Sequence, residues 1–436
     1  MMNLDEWLAH QQMQHPDAIA LGLDRVRVVA QRLGLTRPAA RVITVAGTNG
    51  KGSTVAFIEA IARAAGLRVG AYTLPHLLRY NERVRIDGVD AADDALVAAF
   101  ERIEAARMER AVHGEPVEPR TADSGAIPLT YFEYGTLAAL LLLEGARLDL
   151  AILEVGLGGR LDAVNIVDAD VAIITTVDLD HQDWLGADRE SIGLEKAGVM
   201  RAGKPVVLGE PDPPASVLRH AYKIGAPAIR AGCDYLVDDL PGGWRWREPG
   251  FAIDLPEPVL AAPVQRANAA AAIAALRALD IDIPTSAIVE GVRAARLPAR
   301  LQAFMRDGIE IVIDVAHNPQ AAKQLADWMA AHPPAGTTLA VFSALADKDL
   351  AGIVAPLIDL IAGWWLCGLH ASGRGLSGAA LDERLHDALG GREVVALTDV
   401  GQALDAARQS ARTGDRILVF GSFHTAADAL RALDMD

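Results

Sequence analysis

The stretch RVITVAGTNGKGSTVAFIEAIARAAG, residues 41–66, limits the fold more than any other part of this 436-residue chain. A β-branched apolar run stops at Gly47, and three glycines and one lysine fall within six positions before an alanine-rich segment begins. Val55, Ile58, Ile61 and Ala62 share one face at helical spacing, so the pattern reads strand, glycine turn, helix. Such a turn brings backbone N–H groups and the positive end of a helix to one point, which makes an anion site. The usual phosphate-binding spacing is G-x-x-x-x-G-K-[ST]. Here Gly47 to Lys51 reads G-x-x-G-K, two residues shorter, and Gly52 stands before Ser53. Lys51 can reach a β- or γ-phosphate, and the Ser53 hydroxyl a phosphate oxygen or a metal ion. The alternative is a glycine turn carrying a surface lysine.

The same alternation recurs. DLAILEVG (149–156), VAIITTV (171–177) and PVVLGE (205–210) read as strands apolar on both faces and separated by helical patterns. That arrangement is expected of a parallel sheet covered on both sides. A second series, IEIVIDVAHN, TLAVFSAL, GWWLCGL, EVVALT and DRILVFGS, starts near residue 309. Between the two series, VRAARLPARLQ (292–302) holds Pro298, which should stop the preceding helix. The expected class is therefore α/β: a mainly parallel N-terminal domain, residues 1–296, and a smaller Rossmann-like α/β domain, residues 297–436. Residues 107–128, with scattered Pro, Gly and charge and no period, read as a surface loop.

A net charge of −16, from 41 basic and 57 acidic residues, argues against nucleic acid or an anionic membrane as a partner. The two cysteines, Cys233 and Cys367, are far apart and have no CxxC partner; both read as buried small residues in a reducing compartment. The N-terminus has no basic region followed by an apolar core, and the longest strongly apolar block, LAALLLL (137–143), is too short to cross a bilayer. A soluble, cytoplasmic monomer is the expectation.

Several side chains invite chemistry. Glu154 closes a strand before GLGGR, at the carboxyl edge where ligands meet a parallel sheet. In TTVDLDHQDWLG, His181 is flanked by Asp178, Asp180 and Asp183. A hard cation such as Mg²⁺ prefers oxygen, so chemistry alone favours the aspartates over the histidine. Lys196, in LEKAGV, reads by default as a solvated helix lysine. Thr130, Tyr131, Phe132 and Glu133 of IPLTYFEYGT offer aromatic faces and polar edges to a flat heterocycle, and the same residues make a capping box. Asn268 is a helix cap or an amide aimed at a nucleotide. Arg300 carries a permanent charge suited to phosphate, and Asp314 ends the first strand of the second series.

These motifs together resemble the Mur-ligase superfamily and, within it, the folylpolyglutamate synthase/dihydrofolate synthase family. The resemblance runs in order through AGTNGKGS, PHLLRYNERVRIDG, LTYFEYGTLAAL, LEVGLGGRLDAVNIV, LDHQDWLG, EKAGV, IDVAHNP and GSFHT, over almost the whole chain. It implies an N-terminal P-loop ATPase domain and a C-terminal glutamate-ligase domain. It implies ATP on Gly47, Thr48, Asn49, Gly50, Lys51, Gly52, Ser53, Asn268, Arg300 and Asp314, with Lys51, Arg300 and His317 in catalysis. The pterin-bearing substrate is implied at Ala20, Leu21 and Gly22, at Thr130 to Glu133, and at Leu161, Asp162 and Ala163. Mg²⁺, two ions, is implied on Glu154, His181 and a carbamylated Lys196, with Ser53 a further ligand. His317, Asn318, Ser422 and His424 are the glutamate contacts it suggests. In two places the chain departs from the family: Leu74, which offers no oxygen, stands where a metal-contacting serine usually precedes PHL, and Ala20 stands where the bifunctional members have an acidic residue.

The implied reaction is ATP-dependent joining of L-glutamate to dihydropteroate and to the γ-carboxyl of reduced folates, through an acyl phosphate. A monofunctional folylpolyglutamate synthase, a muramyl-peptide-type ligase and a small-molecule phosphotransferase are the alternatives.

Overall fold

The computed structural model describes residues 2–15, 19–109, 126–279, 281–369 and 375–435. It divides into two compact units, Met1–Pro258 with Arg266–Ala295, and Val259–Gln265 with Arg296–Asp436. Residues 259–265 thus group with the second unit although they precede the boundary read at 296/297. Most of the segment read as a surface loop, residues 110–125, lies outside the described residues; the helix before it, Asp93–Met108, runs into its first positions.

The first unit is built on eight strands: β1 Ala39–Ala46, β2 Val69–Tyr72, β3 Val84–Ile86, β4 Val89–Asp90, β5 Leu148–Glu154, β6 Val171–Ile174, β7 Val206–Leu208 and β8 Ala228–Arg230. Their order is β4-β3-β2-β5-β1-β6-β7-β8. Every pair is parallel except the β2–β3 and β3–β4 ladders at one edge. β1 lies centrally, with Val45 beside Glu154 of β5 on one side and Ala46 beside Ile174 of β6 on the other. The chain leaves β1 toward β2 and leaves β6 toward β7, so the direction of winding reverses between β1 and β6. Ligands of open α/β sheets bind at the strands' carboxyl ends at such a reversal.

Burial explains the strand choice. The last five residues of β1 are all buried, as an interior strand covered on both faces requires. One apolar cluster joins Phe100, Ile103, Leu137, Leu141 and Leu153, and another joins Ile174, Ile192, Val206 and Val217. The helix Lys51–Ala64 packs so closely on Thr285–Ala294 that a Cβ on Gly291 would run into the backbone of Ile61.

Three further strands, β9 Leu236–Leu240, β10 Gly243–Glu248 and β11 Phe251–Pro256, make an antiparallel sheet that the sequence reading passed over. The signals were Pro-Gly turns at 241–242 and 249–250, with Gly242 and Gly250 at φ 77° and 82°, and the alternating WRWR between them.

In the second unit, β12 Gln302–Arg306, β13 Ile309–Ile313, β14 Thr338–Phe342, β15 Gly363–Cys367, β16 Glu393–Leu397 and β17 Arg416–Phe420 are ordered β12-β13-β17-β14-β15-β16. Only β12 is antiparallel to its neighbour. Val312, Phe342, Trp364, Leu418 and Phe420 lie in its core. Cys367 is buried there, whereas Cys233 is exposed, against expectation: it sits in the turn after β8, at the surface. Among the described residues no helix is long and apolar enough to cross a membrane.

Candidate active site

At the carboxyl end of β1 the chain turns through residues 47–50 into the helix Lys51–Ala64. Gly47 has φ 150°, and a Cβ there would fall on Thr175 Oγ1; Gly50 has φ 85°, and a Cβ there would meet Asn268 Oδ1. Neither position can carry a side chain without moving its neighbour. The residues after β6 pin the loop. Thr48 N donates to Thr176 O at 2.7 Å, Thr175 Oγ1 donates to Asn49 O at 2.6 Å, and Asp178 N donates to Thr48 Oγ1 at 3.0 Å. Lys51 folds back so that Nζ donates to Gly47 O and Thr48 O at 2.9 and 3.1 Å. Its ammonium therefore lies over the cradle formed by the turn. Ser53 is buried in the first helical turn. Asn268 is not a helix cap: it lies inside the helix Gln265–Ala278, buried, with its amide against Gly50.

Around this loop the sheet edge gathers charge. Glu154, 3% exposed at the end of β5, accepts from Leu74 N at 3.2 Å through Oε2. Leu74 thus contributes its backbone N–H, while its side chain packs on the apolar cluster. Asp162 accepts from Gly156 N and Leu157 N at 3.0 and 2.9 Å and from Val164 N at 3.0 Å. Burial raises its carboxyl pKa to about 6, against the pull of those N–H groups and Lys51. Lys196, read as solvated, is 3% exposed near the end of the helix Arg189–Ala197. Burial first, and the charge of Lys51 second, lower its pKa to about 7, while Asp180 and Asp162 act the other way. His181 follows β6 with φ 51°, its side chain exposed and Nε2 3.9 Å from Asp180 Oδ2.

These donors fit a hard divalent cation. A buried carboxylate stands on β5 and a buried hydroxyl follows the adjacent strand β1, both of them oxygen donors. Among the described residues no group of three or more His, Cys, Asp or Glu is placed to enclose a metal.

A second set of residues converges through hydrogen bonds that sequence distance hides. Thr130 caps the helix Tyr131–Gly145, Glu133 N donating to Thr130 Oγ1 and Thr130 N to Glu133 Oε2 at 2.7 Å. Gly22 N donates to Leu161 O at 3.4 Å, which joins the 20–22 segment to Leu161, Asp162 and Ala163. Phe132 lies against the backbone of Gly156, where a Cβ would be 2.9 Å from its ring. Tyr131 lies edge-on to Tyr80, and Arg83 Cζ sits 5.3 and 5.0 Å from the two ring centres while its Nε donates to His76 Nδ1 at 2.8 Å. Arg25, whose Nη2 donates to Glu133 Oε1 at 3.0 Å, and Arg83 escaped the sequence reading because an isolated arginine carries no pattern.

In the second unit Asp314 follows β13. It accepts from Leu301 N and Ala316 N at 2.9 and 2.8 Å, and burial raises its carboxyl pKa while Arg300 lowers it. Arg300 Cζ sits 5.3 Å from the ring centre of Phe423, and the His317 ring lies 5.9 Å from the same ring. Arg300, Asp314, His317 and Phe423 therefore share one sheet edge. Asn318 and Ser422 cap the helices Pro319–Ala331 and Phe423–Ala432, and His424 is exposed.

A short glycine–lysine loop at the winding reversal of a parallel sheet, with a second α/β unit in the same chain, defines an α/β nucleotide-using enzyme. Residues 299–423 match the Mur ligase glutamate ligase domain. The dihydrofolate synthase/folylpolyglutamate synthase of Escherichia coli (strain K12) is 44% identical over 432 residues, 99% of this chain and 96% of that protein. The structure described as E. coli FolC in complex with DHPP and ADP matches with a TM-score of 0.90 at 44% identity, covering 99% of this chain and 98% of that one. A bifunctional folylpolyglutamate synthase/dihydrofolate synthase with Mn, AMPPNP and L-glutamate bound matches at 0.88 and 44%, covering 100% and 98%. This chain belongs to the dihydrofolate synthase/folylpolyglutamate synthase family.

Proposed function

We propose that this protein joins L-glutamate to dihydropteroate, giving dihydrofolate, and then to the γ-carboxyl of reduced folates, using ATP. The observation that carries the reading is the loop of residues 47–53, with Lys51 over it, at the β1/β6 reversal of a chain that matches these ligases end to end.

A carboxylate and an amine do not condense in water until the acid acquires a leaving group. The loop N–H groups and Lys51 hold the triphosphate and neutralise charge as the γ-phosphoryl group passes to the substrate carboxylate. The acyl phosphate is then attacked by the glutamate amino group, yielding amide and phosphate. Glu154, His181 and Ser53 would hold Mg²⁺, which supplies charge neutralisation on the phosphates when bound. Lys196, with much of its amine neutral near pH 7, is suited to take up CO₂, losing a proton as its N–C bond forms, and so to become a carboxylate for a second ion. Asn268, Arg300 and Asp314 are assigned to the nucleotide and His317 to the transfer step. Ala20 to Gly22, Thr130 to Glu133 and Leu161 to Ala163 are assigned to the pterin-bearing substrate. Residues 1–296 would serve ATP and pterin and 297–436 glutamate, in a monomer of the cytoplasm.

Product analysis decides. With ATP, glutamate and Mg²⁺, both dihydropteroate and tetrahydrofolate should be glutamylated with one ADP released per amide. Turnover of tetrahydrofolate alone would make the enzyme a monofunctional folylpolyglutamate synthase. Release of ADP without glutamate, or turnover of a muramyl substrate, would sink the proposal.

A further inference from the structure

We propose that Arg25 is a positioning residue that, through Glu133, sets the spacing between two walls of the substrate pocket; this rests on the pterin assignment above. Arg25 stands in the first turn of the helix Asp24–Arg32 with its side chain 10% exposed, and the side chain of Glu133 is buried, 3% exposed. One nitrogen, Nη2, donates to Ala20 O and to Glu133 Oε1, both at 3.0 Å. The other carboxylate oxygen of Glu133 accepts Thr130 N at 2.7 Å. A single ion pair thus ties the 20–22 segment to the start of the Tyr131–Gly145 helix, across 108 residues of sequence.

The chemistry makes this tie strong at close range and costly to break. Burial raises the Glu133 carboxyl pKa, and Arg25 is the largest influence holding it down. Without the guanidinium, Glu133 would keep a buried charge with no cation, or take up a proton and loosen its hold on the Thr130 N–H. Ala20 O would lose its donor as well. Both walls would then drift together, while the β1 loop that receives the triphosphate keeps its own hydrogen bonds to residues 175–178.

The experiment compares Arg25→Met, Arg25→Lys, Glu133→Gln and the Arg25→Met/Glu133→Gln double variant in the full chain. Steady-state kinetics and amide hydrogen exchange are the two readouts. Arg25→Met should raise KM for dihydropteroate and for tetrahydrofolate at least tenfold, with KM for ATP within twofold. Arg25→Lys should recover part of that loss. The double variant should cost less than the two single changes multiplied together, because the unpaired charge is gone. Exchange at residues 19–23 and 130–134 should quicken, with residues 47–53 unchanged. A parallel rise in the ATP and pterin KM values, or independent effects in the double variant, would overturn the inference. Should the wild-type protein turn over no pterin, the functional reading fails, and the exchange pattern alone decides whether Arg25 holds the two segments together.

Discussion

Lys51 turns back onto the carbonyls of Gly47 and Thr48, an arrangement in which its charge waits over the loop rather than in solvent. Lys51→Met should lower ATP-dependent amide formation by two to three orders of magnitude, about 3–4 kcal/mol of lost transition-state stabilisation. The melting temperature should stay within a degree or two, since water can satisfy both carbonyls; an ADP-release assay beside a thermal melt checks both. Lys196 makes the opposite case, a cation whose ionised form is disfavoured where it sits. Lys196→Ala should abolish most activity if a carbamate is required, and added short carboxylates should restore part of it. Full activity in that variant would end the carbamate assignment. The identity of Lys51 is legible in the spacing of its glycines. The burial of Lys196 is not, because LEKAGV reads the same whether its lysine faces water or the sheet edge.

The elements after β6 and β7 form a brace behind the phosphate loop. Val177 N donates to Glu210 Oε1 at 3.0 Å, and Arg189 joins Val177 O at 2.8 Å to Glu210 Oε2 at 3.1 Å. Residues 175–178, fixed in this way, hold Thr48 and Asn49 in turn. Burial raises the Glu210 carboxyl pKa from 4.5 to about 7; Arg189 opposes the shift, and Asp178 and Asp212 add to it. The native protein therefore binds this proton more tightly than the unfolded chain does. Its contribution favours the native state below about pH 4.5 and is lost as the pH rises through about 7. Glu210→Gln should remove that fall, so the wild type should lose stability relative to the variant between pH 4.5 and 7, as read by urea midpoints. An unchanged difference across that window would show that Glu210 does not titrate there. At the loop itself, Gly47→Ala should cost about 1–3 kcal/mol and weaken nucleotide binding, since the side chain would displace Thr175. Strands were legible here because interior parallel strands are apolar on both faces. The cap alternative for Asn268 fails because an asparagine before an alanine run looks like a helix start, whereas the helix begins three residues earlier, at the buried Gln265.

The whole chain should not unfold as one two-state system, because its two units have separate cores. Calorimetric enthalpy should exceed the van't Hoff value, and a single transition with equal enthalpies would contradict that division. Local sequence determined where the interior parallel strands fall, the site of the phosphate loop and the family pattern, because each depends on neighbours a few residues apart. Hydrophobic periodicity and the glycine requirement of a tight turn act at that range. The tertiary structure alone decided that Lys196 is buried beside Lys51's field, that Leu74 lends its backbone to Glu154, and that Arg25 finds Glu133. Those outcomes depend on which distant segments the sheet order brings together, and on desolvation, which no residue carries until the fold has closed around it.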